Sequence, residues 1–221
     1  MSAKENGNDS KNFHPIRVST LRGDQKIKFN VYIRINEKHL LYCRNGDSFE
    51  GERLQRLKAK KLRKMFILRE DEGRYQNYLK LNLEEAYDDK SGKDIHTRAQ
   101  VVQGHQESTA EDLMENPEIE EFYNLAKESS CKFRNFVLNN KNAVEAVLSV
   151  ENSENSLAHH GVNVATLAIG IADKLGYSKE DNALIDLMAL GCLLHDIEHQ
   201  YTGLNIVQKV EDMTPEELNL Y

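Results

Sequence analysis

The sequence predicts a small α+β module followed by a longer, mainly α-helical part. Residues 27–35 alternate between apolar and polar side chains, which is the period of a half-buried β-strand. From residue 109 onwards the apolar residues instead recur every three or four positions, as they do in helices that pack on a core. The stretch 88–108 between these patterns is polar, contains Gly92 and Gly104, and has no clear period, so we predict a linker there.

The N-terminal module is assigned to residues 13–87, after a polar segment over residues 1–12 that we expect to be disordered. Ile27, Phe29 and Val31 share one face of the clearest strand. A short polar connection then leads to a second strand, which predicts a hairpin. The predicted strands are 15–20, 27–35, 39–44 and 65–68, and the predicted helices are 53–64 and 75–83. These elements together predict a small α+β accessory domain.

The second part, residues 109–221, is predicted to be helical. Asn116 followed by Pro117 is typical of a helix start, and Gly176 is typical of a residue just beyond a helix end. Ser178 and Asp181 form a start that resembles a capping box, as do Thr214 and Glu217. The predicted helices follow Pro117 and cover residues 142–150, 157–175 and 180–197. Because only a short connection separates the last two, we expect them to pack antiparallel.

Composition and charge exclude several classes of protein. The chain has 221 residues, 39% of them hydrophobic, and a net charge of −7, so a binder of nucleic acid polymers is not expected. Its apolar runs are only a few residues long, which predicts no membrane span. Cys43, Cys131 and Cys192 form no CxxC pair, which is typical of free thiols in a reducing cytoplasm. The basic stretch 53–64 is interpreted as a solvated helix face, with contact to phosphate or to a partner as the alternative.

The candidate chemistry begins in the stretch GCLLHDIEHQY, residues 191–201, where an apolar helical run ends in His195 and Asp196. A neutral imidazole suits iron, manganese or zinc, and a carboxylate can bridge two ions because it has two oxygens. The two side chains are predicted to share a metal site if the helix end faces a cavity. The alternative is that they form only the polar end of a buried helix.

The preceding helix offers two further candidates, His159 and His160. An apolar stripe along this helix indicates which of the two histidines points inward. The stripe consists of Val162, Val164, Leu167, Ala168 and Ile171. Because His160 lies beside this stripe, we predict that His160 points inward and that His159 is the more exposed of the pair. His160 should then lie close to His195 and Asp196.

The same stretch also matches the H-x-x-E-H pattern of inverzincin peptidases. On a continuous helix His195 and His199 would share one face, with Glu198 beside them as general base for a zinc-bound water. Such a site needs a third protein ligand. The downstream candidates are Glu211, Asp212, Glu216 and Glu217. They lie closer along the chain than these peptidases place that ligand, which disfavours the pattern.

The segment of two helices resembles the start of an HD-GYP domain. In that family a histidine followed by a small residue opens a helix, and a Leu-Gly pair and an "ALLHDIGK" segment follow. Here His160-Gly161, Leu175-Gly176 and Cys192–Ile197 stand at the matching places. The tail "TPEELNLY" looks like the stretch before the family's next metal-binding histidine. The motifs "PIRVSTL", "YIRI", "GDSF" and "ERLQRLKAKKLRKMFI" look like a module often found ahead of HD-GYP domains.

The resemblance implies an all-α HD-type helical bundle, of which residues 109–221 would form a truncated first half. HD-GYP proteins are metal-dependent phosphodiesterases that open cyclic di-GMP, and they hold two or three metal ions, often iron or manganese. By resemblance, His160 and His195 are terminal metal ligands and Asp196 is the bridging ligand. Ser156 stands where members with a third metal have Glu, so two divalent ions are expected.

The chain departs from the family pattern in one place, because "HDIGK" reads "HDIEH" here. Glu198 replaces a glycine, and His199 replaces a lysine that faces substrate phosphate, so His199 is the candidate substrate-binding residue. We expect a cytoplasmic phosphodiesterase-type protein that acts on cyclic di-GMP or a related phosphodiester, or a degenerate receptor for it. The alternative is a non-catalytic signalling protein, and a protein partner of the N-terminal module stays open. Since three ligands are too few for two ions, residues 1–221 alone are not expected to hydrolyse cyclic di-GMP.

Overall fold

The computed structural model describes residues 12–23, 25–50, 52–60, 62–150, 156–177, 182–202, 204 and 209–220. The chain divides into two compact units, Met1–Glu85 and Ala86–Tyr221. The first unit holds a small antiparallel sheet with helices and the second is helical, which confirms the predicted fold class. Apart from Asn12, the predicted disordered N-terminus lies outside the described residues.

The first unit is built on a four-stranded antiparallel sheet of order β1-β4-β2-β3. Its elements in chain order are β1 (Phe13–Arg17), β2 (Val31–Ile35), β3 (Lys38–Cys43), α1 (Arg53–Ala59), β4 (Lys64–Leu68) and α2 (Glu72–Tyr87). The predicted hairpin is present as β2 and β3. Its two loop residues, Asn36 and Glu37, both have positive φ, as a tight two-residue hairpin turn requires.

Three predicted elements of this unit extend well beyond the elements of the structure. The strand predicted at 15–20 ends at Arg17, because Val18–Thr20 form a 3-10 helix. Ile27 and Phe29 are fully buried, yet they precede β2, which begins at Val31. An isolated bridge next to them pairs Lys26 with Ser48, and both residues lie outside the strands of the sheet. Alternation therefore identified the buried side chains correctly but overstated the length of the strand. The basic helix α1 likewise ends at Ala59, and Lys64 already belongs to β4.

The second unit contains seven helices among its described residues. They are α3 (Ile95–Glu115), α4 (Glu120–Asn139), α5 (Ala143–Leu148), α6 (Leu157–Lys174), α7 (Asn182–Leu194), α8 (His199–Thr202) and α9 (Pro215–Leu220). Its core is rich in small side chains. The buried alanines that pack in it are Ala86, Ala99, Ala110, Ala143, Ala146, Ala158, Ala165, Ala172 and Ala189. Small residues at helix contacts allow the helix backbones to approach closely, and this controls the geometry of the site described below.

The predicted linker over residues 88–108 is wrong for most of its length, because residues 95–108 form the first two-thirds of α3. Gln103, Gln106 and Glu107 are polar and yet buried, so they erase the apolar period that a buried helix normally shows. The helix begins at a clear cap, since the Asp94 carboxylate accepts hydrogen bonds from the backbone N–H groups of His96 and Thr97.

The segment before α3 is also held within the helical unit, through the buried guanidinium of Arg98. It donates hydrogen bonds to the Ala86 carbonyl at 2.7 Å, to Asp89 at 2.6 Å and to the Asn140 side-chain oxygen at 2.9 Å. One arginine therefore ties together the segment before α3, the first turn of α3 and the end of α4.

The helix ends test the predicted capping residues. Asn116 closes α3 instead of opening α4, whose N-cap is Ile119. Gly176 has φ of 90° and follows α6, as predicted. Thr214 and Glu217 cap α9 reciprocally: the Thr214 N–H donates to the Glu217 carboxylate, and the Glu217 N–H donates to the Thr214 hydroxyl. The predicted cap at Ser178 and Asp181 lies outside the described residues.

Candidate metal centre

The candidate site forms where the start of α6 meets the end of α7. A Cβ atom placed on Gly161 would lie 2.3 Å from the Leu193 carbonyl oxygen and 3.0 Å from its carbon, so only glycine permits this approach. The Ser156 hydroxyl caps α6 by accepting a hydrogen bond from the His159 N–H at 3.1 Å. The contact of Gly161 with Leu193 shows that the start of one helix lies against the end of the other, as in the predicted antiparallel pair.

This approach brings together His160, His195 and Asp196. The Asp196 Oδ2 atom lies 3.0 Å from His195 Nε2 and 3.6 Å from His160 Nε2, and the two imidazole centroids are 5.2 Å apart. Among the described residues this is the one group of three or more potential metal ligands whose donor atoms all lie within 4.8 Å of one another. The sequence therefore predicted this convergence, while the role of the three residues as ligands remains a prediction.

The donor set fits a divalent metal ion. The His195 Nδ1 atom lies 2.8 Å from the Cys192 carbonyl oxygen, to which it can donate its proton, so that Nε2 keeps its lone pair on the side of Asp196. A second hydrogen bond of this kind is usual for histidines that ligate metals. Burial raises the pKa of the Cys192 thiol, which therefore stays neutral at pH 7 and is a poor ligand. Two imidazoles and one carboxylate suit iron, manganese or zinc.

The site is half open to solvent, since the side chains of His160, His195 and Asp196 are 43%, 39% and 21% exposed. Solvent therefore reaches all three side chains, which lie at the start of α6 and just after the end of α7.

The predicted exposures of the two neighbouring histidines are reversed. His160 does reach the site, but His159 is the more buried residue, at 12% side-chain exposure. The reason is the phase of α6, which is apolar around most of its circumference. The face that packs in the core carries Ala158, Val162, Ala165, Ile169 and Ala172. Leu167 and Ile171, on the stripe that the sequence favoured, are 47% and 59% exposed.

The peptidase pattern is wrong for this chain. The α-helix ends at Leu194, and residues 195–198 form turns before α8 begins at His199. His195 and His199 therefore do not occupy successive turns of one helix, and His199 does not join the metal-ligand group. It is half-buried and donates its backbone N–H to the Asp196 carbonyl at 3.0 Å, whereas Glu198 is exposed. The downstream carboxylates stand outside the group as well.

The sequence analysis missed a second polar group, which lies directly behind the site. His159 Nδ1 is 2.6 Å from a Glu107 carboxylate oxygen and 2.9 Å from the Gln103 amide nitrogen, and both partners are on α3. The available signal was the spacing of Gln103 and Glu107, four residues apart and therefore on one helix face. It was overlooked because both residues were placed in the predicted linker.

Comparison with known proteins identifies the class of protein. No family model matches the chain, and no curated protein matches it. Among solved structures the chain is similar to Bd1817, an HDG"Y"P protein from Bdellovibrio bacteriovorus, with 52% identity and a TM-score of 0.87. The match covers 95% of this chain and 68% of that chain. The chain belongs to the HD-GYP family, a metal-dependent phosphodiesterase-like family of the HD superfamily.

None of the described helices combines the length and apolar character that crossing a bilayer demands.

Proposed function

We propose that His160, His195 and Asp196 bind a divalent metal ion and that the protein acts on cyclic di-GMP or a related phosphodiester. The single observation that carries this proposal is the convergence of the three donor groups at one half-open helix junction, where the two imidazole Nε2 atoms lie 3.0 and 3.6 Å from the Asp196 carboxylate. Membership of the HD-GYP family supports both the metal and the phosphodiester. The proposed ions are iron or manganese.

Each of the three side chains has a distinct part in the proposal. Asp196 has two oxygens and lies between the imidazoles, so it suits a bridging position if two ions bind, and the second ion would require further donors. His195 is held by the Cys192 carbonyl, which keeps its ring from rotating away. A bound ion would supply a hydroxide nucleophile at neutral pH and would offset negative charge on the phosphate oxygens.

His199 is proposed to contact the substrate phosphate. It follows the metal-ligand pair by three residues, and its backbone N–H is anchored on the Asp196 carbonyl. A protonated imidazole binds an anion, although it carries less positive charge at pH 7 than a lysine does. The three cysteines are free, which supports the proposed cytoplasmic location.

A second candidate is a non-catalytic receptor or signalling protein that keeps the fold. The exposed carboxylate of Glu198 favours it, because this negative charge stands two residues from Asp196, where an anionic ligand would approach. Such a protein would bind cyclic di-GMP or a protein partner of the N-terminal unit without turnover.

The test combines metal analysis with an assay of cyclic di-GMP hydrolysis. The protein is purified without oxygen, loaded with Mn²⁺ or Fe²⁺, and compared with Asp196→Ala and with Glu198→Gly as the matched control. We expect Asp196→Ala to lose bound metal and the control to retain it. Binding of cyclic di-GMP without product formation would favour the receptor. Unchanged metal content in Asp196→Ala would overturn the proposed site.

A further inference from the structure

A buried polar group lies between α3 and α6, and its central residue, His159, is the neighbour along α6 of the candidate ligand His160. His159 and Glu107 are each only 12% exposed, and their Nδ1 and Oε1 atoms are 2.6 Å apart. The Asn163 amide nitrogen lies 3.1 Å from His159 Nε2, so both ring nitrogens have polar neighbours. A buried carboxylate is costly unless it is paired and hydrogen-bonded, so a pair that persists here has a strict geometry.

The two neighbouring amides can complete this geometry. Gln103 Oε1 and Asn163 Oδ1 are buried and accept no hydrogen bond from the described residues. The Asn163 amide N–H can donate to the His159 Nε2 lone pair as it stands. The Gln103 amide can turn its oxygen towards His159 Nδ1, because its oxygen and nitrogen exchange places by rotation about one bond. The ring of His159 would then be held at both nitrogens, from Gln103 and Glu107 on α3 and from Asn163 one turn further along α6.

The contacts of His159 hold the same turn of α6 that carries the candidate ligand His160. His159 and His160 are consecutive, so their side chains project about 100° apart around the helix axis. Any rotation of α6 that moved His159 away from Glu107 would also swing His160 away from Asp196. The Gly161 contact limits how far apart α6 and α7 lie, but a glycine without a side chain does little to fix the rotation of the helix.

We propose that His159 and Glu107 are positioning residues of the metal centre, which set the rotation of α6 and thereby aim His160 at Asp196. This inference rests on the proposed metal site. It assigns no contact with the metal or substrate to either residue. It predicts that the pair contributes to metal affinity and to the geometry around the ion, beyond its contribution to stability.

The experiment measures metal binding well below the melting temperature. Mn²⁺ affinity and the visible absorption spectrum of the Co²⁺-loaded protein are compared for the wild type, Glu107→Gln and His159→Gln. The matched control is Asp89→Asn, which removes a 2.6 Å ion pair with Arg98 at the other end of α3. We expect Mn²⁺ binding to weaken about tenfold in both cluster variants, with an altered Co²⁺ spectrum, and to change less than about twofold in the control.

Three outcomes separate the hypotheses. A lower melting temperature with unchanged Mn²⁺ affinity and Co²⁺ spectrum in Glu107→Gln and His159→Gln would reduce the cluster to a purely structural element and overturn the inference. If Asp196→Ala binds Mn²⁺ as the wild type does, the proposed metal site fails first. If Glu107→Gln does not fold, as judged by helical circular dichroism, His159→Gln decides alone, because it keeps an uncharged polar side chain opposite an intact Glu107.

Discussion

The two units of this chain differ in charge and in how their cores are built. Residues 1–85 carry 19 Lys and Arg against 12 Asp and Glu, a net charge of +7, whereas residues 86–221 carry 10 against 24, a net charge of −14. The core of the first unit contains large side chains, among them Phe29, Phe49 and Met65. The core of the second contains many alanines.

This contrast predicts opposite sensitivities to mutation. A core of large side chains loses most when volume is removed, because the cavity stays partly unfilled. A core in which helix backbones touch loses most when volume is added, because a backbone cannot move aside as a side chain can. Since the candidate ligands lie in the second unit, only the second kind of change should disturb metal binding. The net charge of −7 for the whole chain conceals the opposite charges of the two units.

The largest expected effect is in the first unit. Phe29 is fully buried and packs edge-on against Tyr75 and Tyr78. Phe29→Ala should lower the free energy of unfolding by about 4 kcal/mol. Mn²⁺ binding by the helical unit should stay as in the wild type. Chemical denaturation and a metal titration check both statements, with Leu40→Ala, at a residue 47% exposed, as the mild control. Loss of metal binding in Phe29→Ala would refute the independence of the two units.

The reverse experiment adds volume to the second unit. Gly161→Ala places a methyl group against the Leu193 carbonyl, so α6 and α7 must move apart. We expect the free energy of unfolding to fall by about 3 kcal/mol and Mn²⁺ binding to be lost. Gly191→Ala is the matched control, because a Cβ there meets nothing within 4 Å and alanine favours a helix. Thermal melts and metal titrations of both variants test this, and equal behaviour would contradict the close-approach explanation.

A pH effect should distinguish the two units further, since the second unit holds a half-buried histidine with a shifted pKa. Burial, and secondarily the charge of Lys132, lowers the pKa of His105 to about 4. In the unfolded chain a histidine titrates near pH 6.5, so between pH 6.5 and pH 4 the unfolded state binds more protons. The free energy of unfolding should therefore fall as the pH is lowered through this window, by about 2 kcal/mol after allowance for partial solvent screening.

His105→Gln should flatten that dependence, because glutamine takes up no proton. Urea denaturation at intervals between pH 7 and pH 4 measures the slope for both proteins. His96→Gln serves as the control at another histidine of α3. If the wild type and His105→Gln lose stability in parallel, the proton is taken up elsewhere.

The smallest expected effect is at the start of α3. Hydrogen bonds from the Thr97 side chain and backbone lower the pKa of the Asp94 carboxyl, and that carboxylate caps the helix. Asp94→Ala should lower the melting temperature by a few degrees, whereas Asp94→Asn keeps an accepting oxygen and should lower it less. The difference in melting temperature between the wild type and each variant should shrink at acid pH, where the carboxylate of the wild type becomes protonated. Differential scanning calorimetry can resolve changes of this size.

The sequence alone determined the features that depend on neighbouring residues along the chain. The β2–β3 hairpin, the buried strand β4, the glycine that ends α6 and the reciprocal cap of α9 follow from alternation, turn residues and capping pairs. The three candidate ligands could also be named, because the family pattern places His160, His195 and Asp196 at recognisable positions. These inferences need no knowledge of what packs against what.

Tertiary structure decided which face of each helix is buried. The helix α6 is apolar on nearly all sides, so only its neighbours α3, α4, α5 and α7 determine that Val162 and Ile169 face the core and that Leu167 faces outward. For the same reason His159 is buried against Glu107, a residue 52 positions away. The sequence pattern did not predict the first part of α3, because several of its buried residues are polar. A polar side chain is stable in a core only where a partner, here one distant in sequence, forms a hydrogen bond with it. Periodicity reports the chemistry of a face, whereas burial depends on the partner that covers it.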